Sequence, residues 1–115
     1  MIAVVWQFQV KTGKQKEFEK FYGADGAWTN FGRRSRSYLG SSFLRDQAYS
    51  TQYLLIEYWS EMVIYEQHRQ SLLTELRRLE EQRDTHCESI LPLGIFTALD
   101  VPDRVGPTWS RRDGV

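Results

Sequence analysis

A period of two marks the start of the chain: over residues 3–10, Val4, Trp6, Phe8 and Val10 fall on one side, with Gln7 and Gln9 on the other. That period, built from β-branched and aromatic residues, predicts a strand. Thr12-Gly13-Lys14 turns the chain, with Thr12 as a candidate helix cap. Over residues 14–22 the period becomes helical and puts Phe18, Phe21 and Tyr22 on one stripe among lysines and glutamates. Gly23 and Gly26 interrupt it. A second helical piece is predicted from Asp25, which would cap it and carry Trp28 and Phe31 inward.

Residues 38–45 read as a strand in which Gly40 permits a bulge or a close approach. The polar segment 46–51 joins it to a second strand over 52–59, forming an antiparallel hairpin. That strand is apolar on both faces, with Tyr53, Leu55 and Trp59 against Leu54, Ile56 and Tyr58. Helices are predicted over 60–68, capped by Ser60, and over 71–86, where Leu72, Leu76 and Leu79 form the inward stripe. Arg77 and Glu81 make an exposed i,i+4 pair. Residues 91–99 form the last strand, and the irregular tail 100–115 either lacks order or crosses to a partner.

The order is β-α-β-β-α-β, an α+β fold of ferredoxin-like, split βαβ type occupying residues 1–99. Helices would cover one face of a four-stranded antiparallel sheet. The uncovered face, whichever phase the 52–59 strand takes, is too apolar to stay in water. Two such sheets facing each other about a twofold axis solve the problem, so a homodimer is expected.

Charge narrows the function. Fifteen basic and fifteen acidic residues cancel over the 115 positions, which argues against a nucleic-acid binder relying on a clustered positive surface. Arg33, Arg34 and Arg36 form a short basic run, read as a solvated loop or a grip on one anionic group. A single cysteine, Cys87, excludes an internal disulfide and suits a reducing compartment. The first ten residues lack the basic start of a signal peptide, and no apolar run approaches the ~20 residues of a membrane span. A cytoplasmic protein without membrane contact is expected. Glycines occur without a phosphate-cradling pattern, and His86-Cys87, being adjacent, point apart with no further ligand at metal spacing. No metal, flavin or other cofactor is therefore expected.

Three pieces of sequence carry a resemblance: Lys11-Thr-Gly-Lys-Gln-Lys-Glu-Phe-Glu19 after the first strand, Ser37-Tyr38-Leu39-Gly40 entering the second, and Glu57-Tyr58-Trp59-Ser60-Glu61 ending the third. With His68 nine residues after Trp59, the chain resembles the antibiotic biosynthesis monooxygenase family of dimeric α+β barrels over about residues 2–99. The resemblance implies one of several activities. Relatives include cofactor-free oxygenases of quinols and polyketide phenols, haem-degrading enzymes, isomerases, decarboxylases and proteins that only bind. Val4, Val5 and Trp6 occupy the stretch where haem-degrading relatives carry an asparagine, which argues against haem.

The resemblance implies that His68 faces a cavity between helices and sheet. As an imidazole it can serve as general base or as hydrogen-bond donor to a phenol or enolate oxygen; the plainer alternative is a capping or surface histidine. Tyr65 lies three residues before it, hence on the same helix face, and both would share a pocket with Trp28. Trp28, Tyr65 and Tyr22 are candidates for an aromatic wall binding a small aromatic or apolar ligand, while Trp59 reads as core. Arg33 would recognise a carboxylate or phenolate at the mouth. The expected function is a cofactor-independent monooxygenase or related tailoring enzyme for a quinol or polyketide-like aromatic. The alternative is a dimeric module that binds a small apolar ligand without chemistry.

Overall fold

A computed structural model describes residues 1–99. Its elements are β1 (Ile2–Val10), α1 (Gln15–Tyr22), α2 (Ala27–Arg33), β2 (Tyr38–Arg45), β3 (Gln52–Trp59), α3 (Met62–Ser71), α4 (Leu73–Asp84) and β4 (Cys87–Thr97). The strands form one antiparallel sheet in the order β2-β3-β1-β4. This is the expected α+β, ferredoxin-like architecture. Within one chain the sheet is open, with β2 and β4 at its edges, and does not close into a barrel.

Local chemistry explains the turns. Between β2 and β3 the amides of Ala48 and Tyr49 both donate to Asp46 Oδ1, at 2.7 and 2.9 Å, so the side chain holds the reversal. Gly40 has a φ of +130°, and the β2–β3 register shifts between Tyr38 and Gly40, the bulge its position allowed. The break between α1 and α2 depends on Gly26. A Cβ there would sit 2.2 Å from the Phe21 carbonyl oxygen and 2.3 Å from that of Lys20, so α2 starts against the end of α1 with room only for hydrogen.

The phase of β3 is settled by burial. Tyr53, Leu55, Glu57 and Trp59 turn under the helices, and Leu54, Ile56 and Tyr58 take the other face. Phe8, Val10, Phe18, Phe21, Tyr22 and Leu55 build the main core beneath α1 and α2. Each fully buried side chain of this size contributes about 1.5–3 kcal/mol by leaving water. Phe18 sits at the centre, with ring centroids 5.1 Å from Phe8 and 4.9 Å from Tyr53. Val4, Trp59 and Tyr65 form a smaller core at the other end.

Several boundaries differ from the sequence reading. The last strand begins at Cys87 rather than at 91, because Val10 extends the ladder by pairing with Cys87. The last helix accordingly ends at Asp84. The third and fourth helices meet at Leu72, whose φ of −120° and ψ of 33° interrupt the helical path. Ser60 does not cap α3; its hydroxyl pairs with Ser37 Oγ at 2.6 Å, tying the ends of β2 and β3 together. Thr12 and Asp25 do not cap either, since Lys14 and Gly26 hold those positions without a side-chain bond. The expected crossing of the tail 100–115 lies outside the described residues. No helix among the described residues is long and apolar enough to cross a membrane.

Candidate functional site

A cavity of about 510 Å³ opens between the α1–α2 break and the edge strand β2. Tyr22, Thr29 and Arg33 line its helical wall, and Tyr38, Ser41 and Phe43 its sheet wall. The sequence builds it directly. Gly23, which ends α1, leaves the rim there without a side chain, and the bulge at Gly40 bends β2 beside it. Arg33 is half exposed, 3.9 Å from Asp25 Oδ1 and 3.5 Å from Asn30 Oδ1, so its guanidinium is loosely held at the mouth.

Tyr22 reaches inward from this cavity. Its hydroxyl is buried and has no hydrogen-bond partner among the described residues. Burial raises its pKa well above the usual 10.0, and the neighbouring Arg83 guanidinium partly offsets this. Tyr38, also on the cavity wall, is raised for the same reason, against a contact with Ser41 Oγ that lowers it.

Behind the cavity lies a polar interior. Glu57 is 4% exposed, and the Trp28 indole N–H donates to its Oε2 at 2.8 Å. Desolvation lifts the Glu57 carboxyl from 4.5 to about 7; the Trp28 hydrogen bond, the Arg69 charge and the Trp6 indole oppose that rise. Arg83 enters from α4 and lies 5.8 Å from the ring centres of both Trp6 and Trp28. Its Nε and Nη2 donate to Asp84 at 3.2 and 3.1 Å, while Nη1 is buried without a partner. Trp6 Nε1 and Trp59 Nε1 are likewise buried without a partner. Buried donors are ordinarily satisfied, and each one left open costs about 1–3 kcal/mol. A set of N–H and O–H groups with this shortage of acceptors suits a ligand that brings oxygen acceptors.

The structure divides the residues expected to form the site. Tyr22 and Arg33 come together on the cavity, and Trp28 packs 5.5 Å from the Tyr22 ring with its own polar atom committed to Glu57. His68 and Tyr65 lie elsewhere. Phe31 stands between Trp28 and His68, its ring centroid 6.5 Å from the first and 4.7 Å from the second, so the expected shared pocket of Trp28, Tyr65 and His68 is not formed. His68 is buried, and its Nε2 donates to the Phe31 carbonyl at 2.8 Å, which corrects the expectation of a partly exposed pocket histidine with few core contacts. It borders a shallow depression with Arg34, Gln67 and Ser71. Tyr65 stacks edge-on against Trp59 at 5.1 Å beneath Arg69; burial pushes its phenol up to about 12, with Arg69 opposing.

Glu57 and Arg83 escaped the sequence reading, though both left a signal. Glu57 shares the parity of Tyr53, Leu55 and Trp59, so choosing the phase of β3 would have turned it inward. Arg83 continues the Leu72, Leu76, Leu79 stripe by one more turn. Among the described residues no group of three His, Cys, Asp or Glu side chains is placed to hold a metal ion.

Solved structures decide the fold relationship. A variant of SnoaB, a cofactor-independent oxygenase from Streptomyces nogalater, superposes with a TM-score of 0.72 at 20% identity, over 89% of this chain and 97% of that one. The chain has the fold of the antibiotic biosynthesis monooxygenases. A structure named antibiotic biosynthesis monooxygenase matches this fold with a TM-score of 0.59 at 15% identity, over 87% of this chain and 100% of that one. Rv0793 from Mycobacterium tuberculosis matches at 0.66 and 12% identity, over 89% and 98% of the two chains. No protein-family model and no curated protein matches the sequence.

Proposed function

We propose that the protein is a small cofactor-independent monooxygenase acting on an electron-rich aromatic, a quinol or polyketide-like phenol. The observation that carries this reading is the cavity of about 510 Å³, walled by Tyr22, Tyr38 and Phe43, with unpaired buried donors behind it. That volume suits one small planar molecule. The fold shared with SnoaB, an oxygenase by name, supports the same reading.

The chemistry asks little of the protein. A phenol or enol loses its proton, and the resulting anion is electron-rich enough to reduce dioxygen, the co-substrate. A carbon–oxygen bond forms at a ring carbon, and the oxygen–oxygen bond and that carbon's C–H bond break. One oxygen atom leaves as water with the phenol proton and the ring hydrogen, while the other remains as the new carbonyl. All electrons come from the substrate. The chain's task is to orient the ring, exclude water and stabilise the oxyanion. In this reading Tyr22 and the aromatic walls hold the ring, and Arg33 meets an anionic oxygen at the mouth. His68, fixed to the Phe31 carbonyl, anchors α3 to α2 instead of reaching the ligand.

Two further parts belong to the proposal. The protein works as a homodimer through the helix-free sheet face, where Leu44, Leu54, Ile56, Tyr58 and Val5 adjoin without a charged residue between them. Its location is cytoplasmic, in keeping with a lone buried Cys87 whose thiol burial pushes up to about 11, making it unreactive.

The test is oxygen uptake with a panel of hydroquinones and hydroxynaphthalenes, without added flavin or metal. Turnover is expected with at least one compound, and Tyr22→Phe and Arg33→Ala should each lower it about 10–100-fold. Tight binding of the same compounds without oxygen uptake would favour the non-catalytic binding module.

A further inference from the structure

Among the described residues Glu57 is the only buried acid. Its position follows from the ladder: it lies opposite Val4 of β1 and Ser41 of β2 and points with them under the helices. No lysine or arginine pairs with it among the described residues. Arg69, the cation that acts on it, is instead 3.7 Å from Glu80 and lies over the Tyr65 ring. A carboxyl taken out of water with only neutral indole donors, Trp28 and Trp6, against it is a poor structural choice, since an apolar residue of similar size would pack there without the desolvation penalty. Groups held this way concentrate where proton chemistry is done.

The surroundings connect Glu57 to the cavity. Ser41, its cross-strand neighbour, lines the cavity wall, as do Tyr22 and Tyr38, and both tyrosines feel the Glu57 charge. The groups facing it are Trp6 from β1, Tyr22 from α1, Trp28 from α2, Tyr38 from β2, and Tyr65 and Arg69 from α3, with Arg83 of α4 against Tyr22. The donors of Tyr22, Trp6 and Arg83 in this set have open hydrogen-bonding capacity.

We propose that Glu57 is the proton acceptor for the acidic hydroxyl of a phenol-type ligand entering past Tyr22. This rests on the reading of the cavity as a ligand site. In the step, the ligand O–H bond breaks and an O–H bond forms on the Glu57 carboxylate. The phenolate left behind is met by the Tyr22 hydroxyl and the unpaired nitrogens of Trp6 and Arg83. No electrons are exchanged, so the step precedes and is separable from any reaction with oxygen. Desolvation sets the carboxyl near neutrality, where it can both take and return a proton.

Proton-linked binding tests this without any turnover. Isothermal titration calorimetry of 4-nitrophenol at about pH 8, in two buffers of unlike ionisation heat, counts the protons exchanged; ligand and Glu57 are then both largely ionised, and their complex retains one proton. The wild type should take up about one proton per ligand bound, with affinity falling about tenfold per pH unit above neutrality. Glu57→Gln, which keeps an oxygen acceptor for Trp28, should bind with no proton uptake and lose that pH dependence. Wild-type binding without proton uptake, or the same uptake in Glu57→Gln, would overturn the role of Glu57 and leave the cavity reading standing. Failure of the wild type to bind any phenol of the oxygen-uptake panel would overturn the cavity reading itself.

Discussion

The Trp28 indole and the Glu57 carboxylate meet at 2.8 Å across the helix–sheet interface, each the other's polar partner inside an aromatic core. The bond stabilises the ionised acid, but burial outweighs it and lifts the carboxyl from 4.5 to about 7. The consequence for stability has a definite sign. The folded protein holds this proton more tightly than the unfolded chain, so the protonated form contributes stability that is complete below pH 4.5. That contribution is lost as pH rises towards 7, to a limit of about 3 kcal/mol. Glu57→Gln mimics the protonated side chain. In denaturant unfolding it should match the wild type at pH 4 and exceed it at pH 8 by an amount approaching that limit. Equal stability of the two proteins at pH 8 would show that Glu57 is not desolvated as described.

The fold was legible because its signals are local and repeated. Alternation in β1, the stripe of Phe18, Phe21 and Tyr22, the glycine break and the 46–51 turn each specify one element, and the split βαβ order follows from their sequence. The interior polar set was not legible, because it depends on parity that a strand apolar on both faces conceals. With Leu54 and Leu55, then Ile56, then Tyr58 and Trp59, β3 reads equally well in either phase, and only the packed helices show that Glu57 turns inward. His68 illustrates the converse. Its spacing from Trp59 was visible, but its hydrogen bond to the Phe31 carbonyl joins residues 37 apart in sequence and could not be read from either segment alone.

His68→Ala removes that bond and a ring packed 4.7 Å from Phe31 and 5.5 Å from Trp59. It also leaves a buried carbonyl oxygen without this donor. A loss of about 2–3 kcal/mol is expected in urea unfolding, with binding of phenols to the folded protein changed less than about twofold. A variant that stayed fully stable but lost turnover would restore His68 to the catalytic position the sequence suggested.

Gly26→Ala tests the geometry of the cavity wall. The new methyl would press on the backbone carbonyls of Phe21 and Lys20, neither of which can rotate away, so α2 must shift outward. Trp28, Thr29 and Arg33 would move with it. A stability loss of about 2 kcal/mol or more is expected, with a red shift in tryptophan fluorescence as Trp28 meets water. Gly13→Ala, where a Cβ meets nothing within 4 Å but φ is +89°, should cost only the backbone strain of that turn, about 1 kcal/mol, with unchanged fluorescence.

Ile56→Glu tests the helix-free sheet face. Ile56 pairs with Val5 on one side and Ser42 on the other and points away from both buried clusters, so a carboxylate there leaves the interior of the single chain intact. Against a second copy the same substitution places two like charges near a twofold axis inside an apolar contact, where neither finds a partner. Light scattering should give twice the 13.6 kDa chain mass for the wild type and a single chain mass for Ile56→Glu. Circular dichroism should show the secondary structure unchanged, which separates loss of assembly from loss of folding. Truncating the same side chain, Ile56→Ala, should weaken association without abolishing it, because area is lost but no charge is buried. A wild type that scatters as a single chain at micromolar concentration would remove the homodimer from the proposal and leave the cavity to work within one chain.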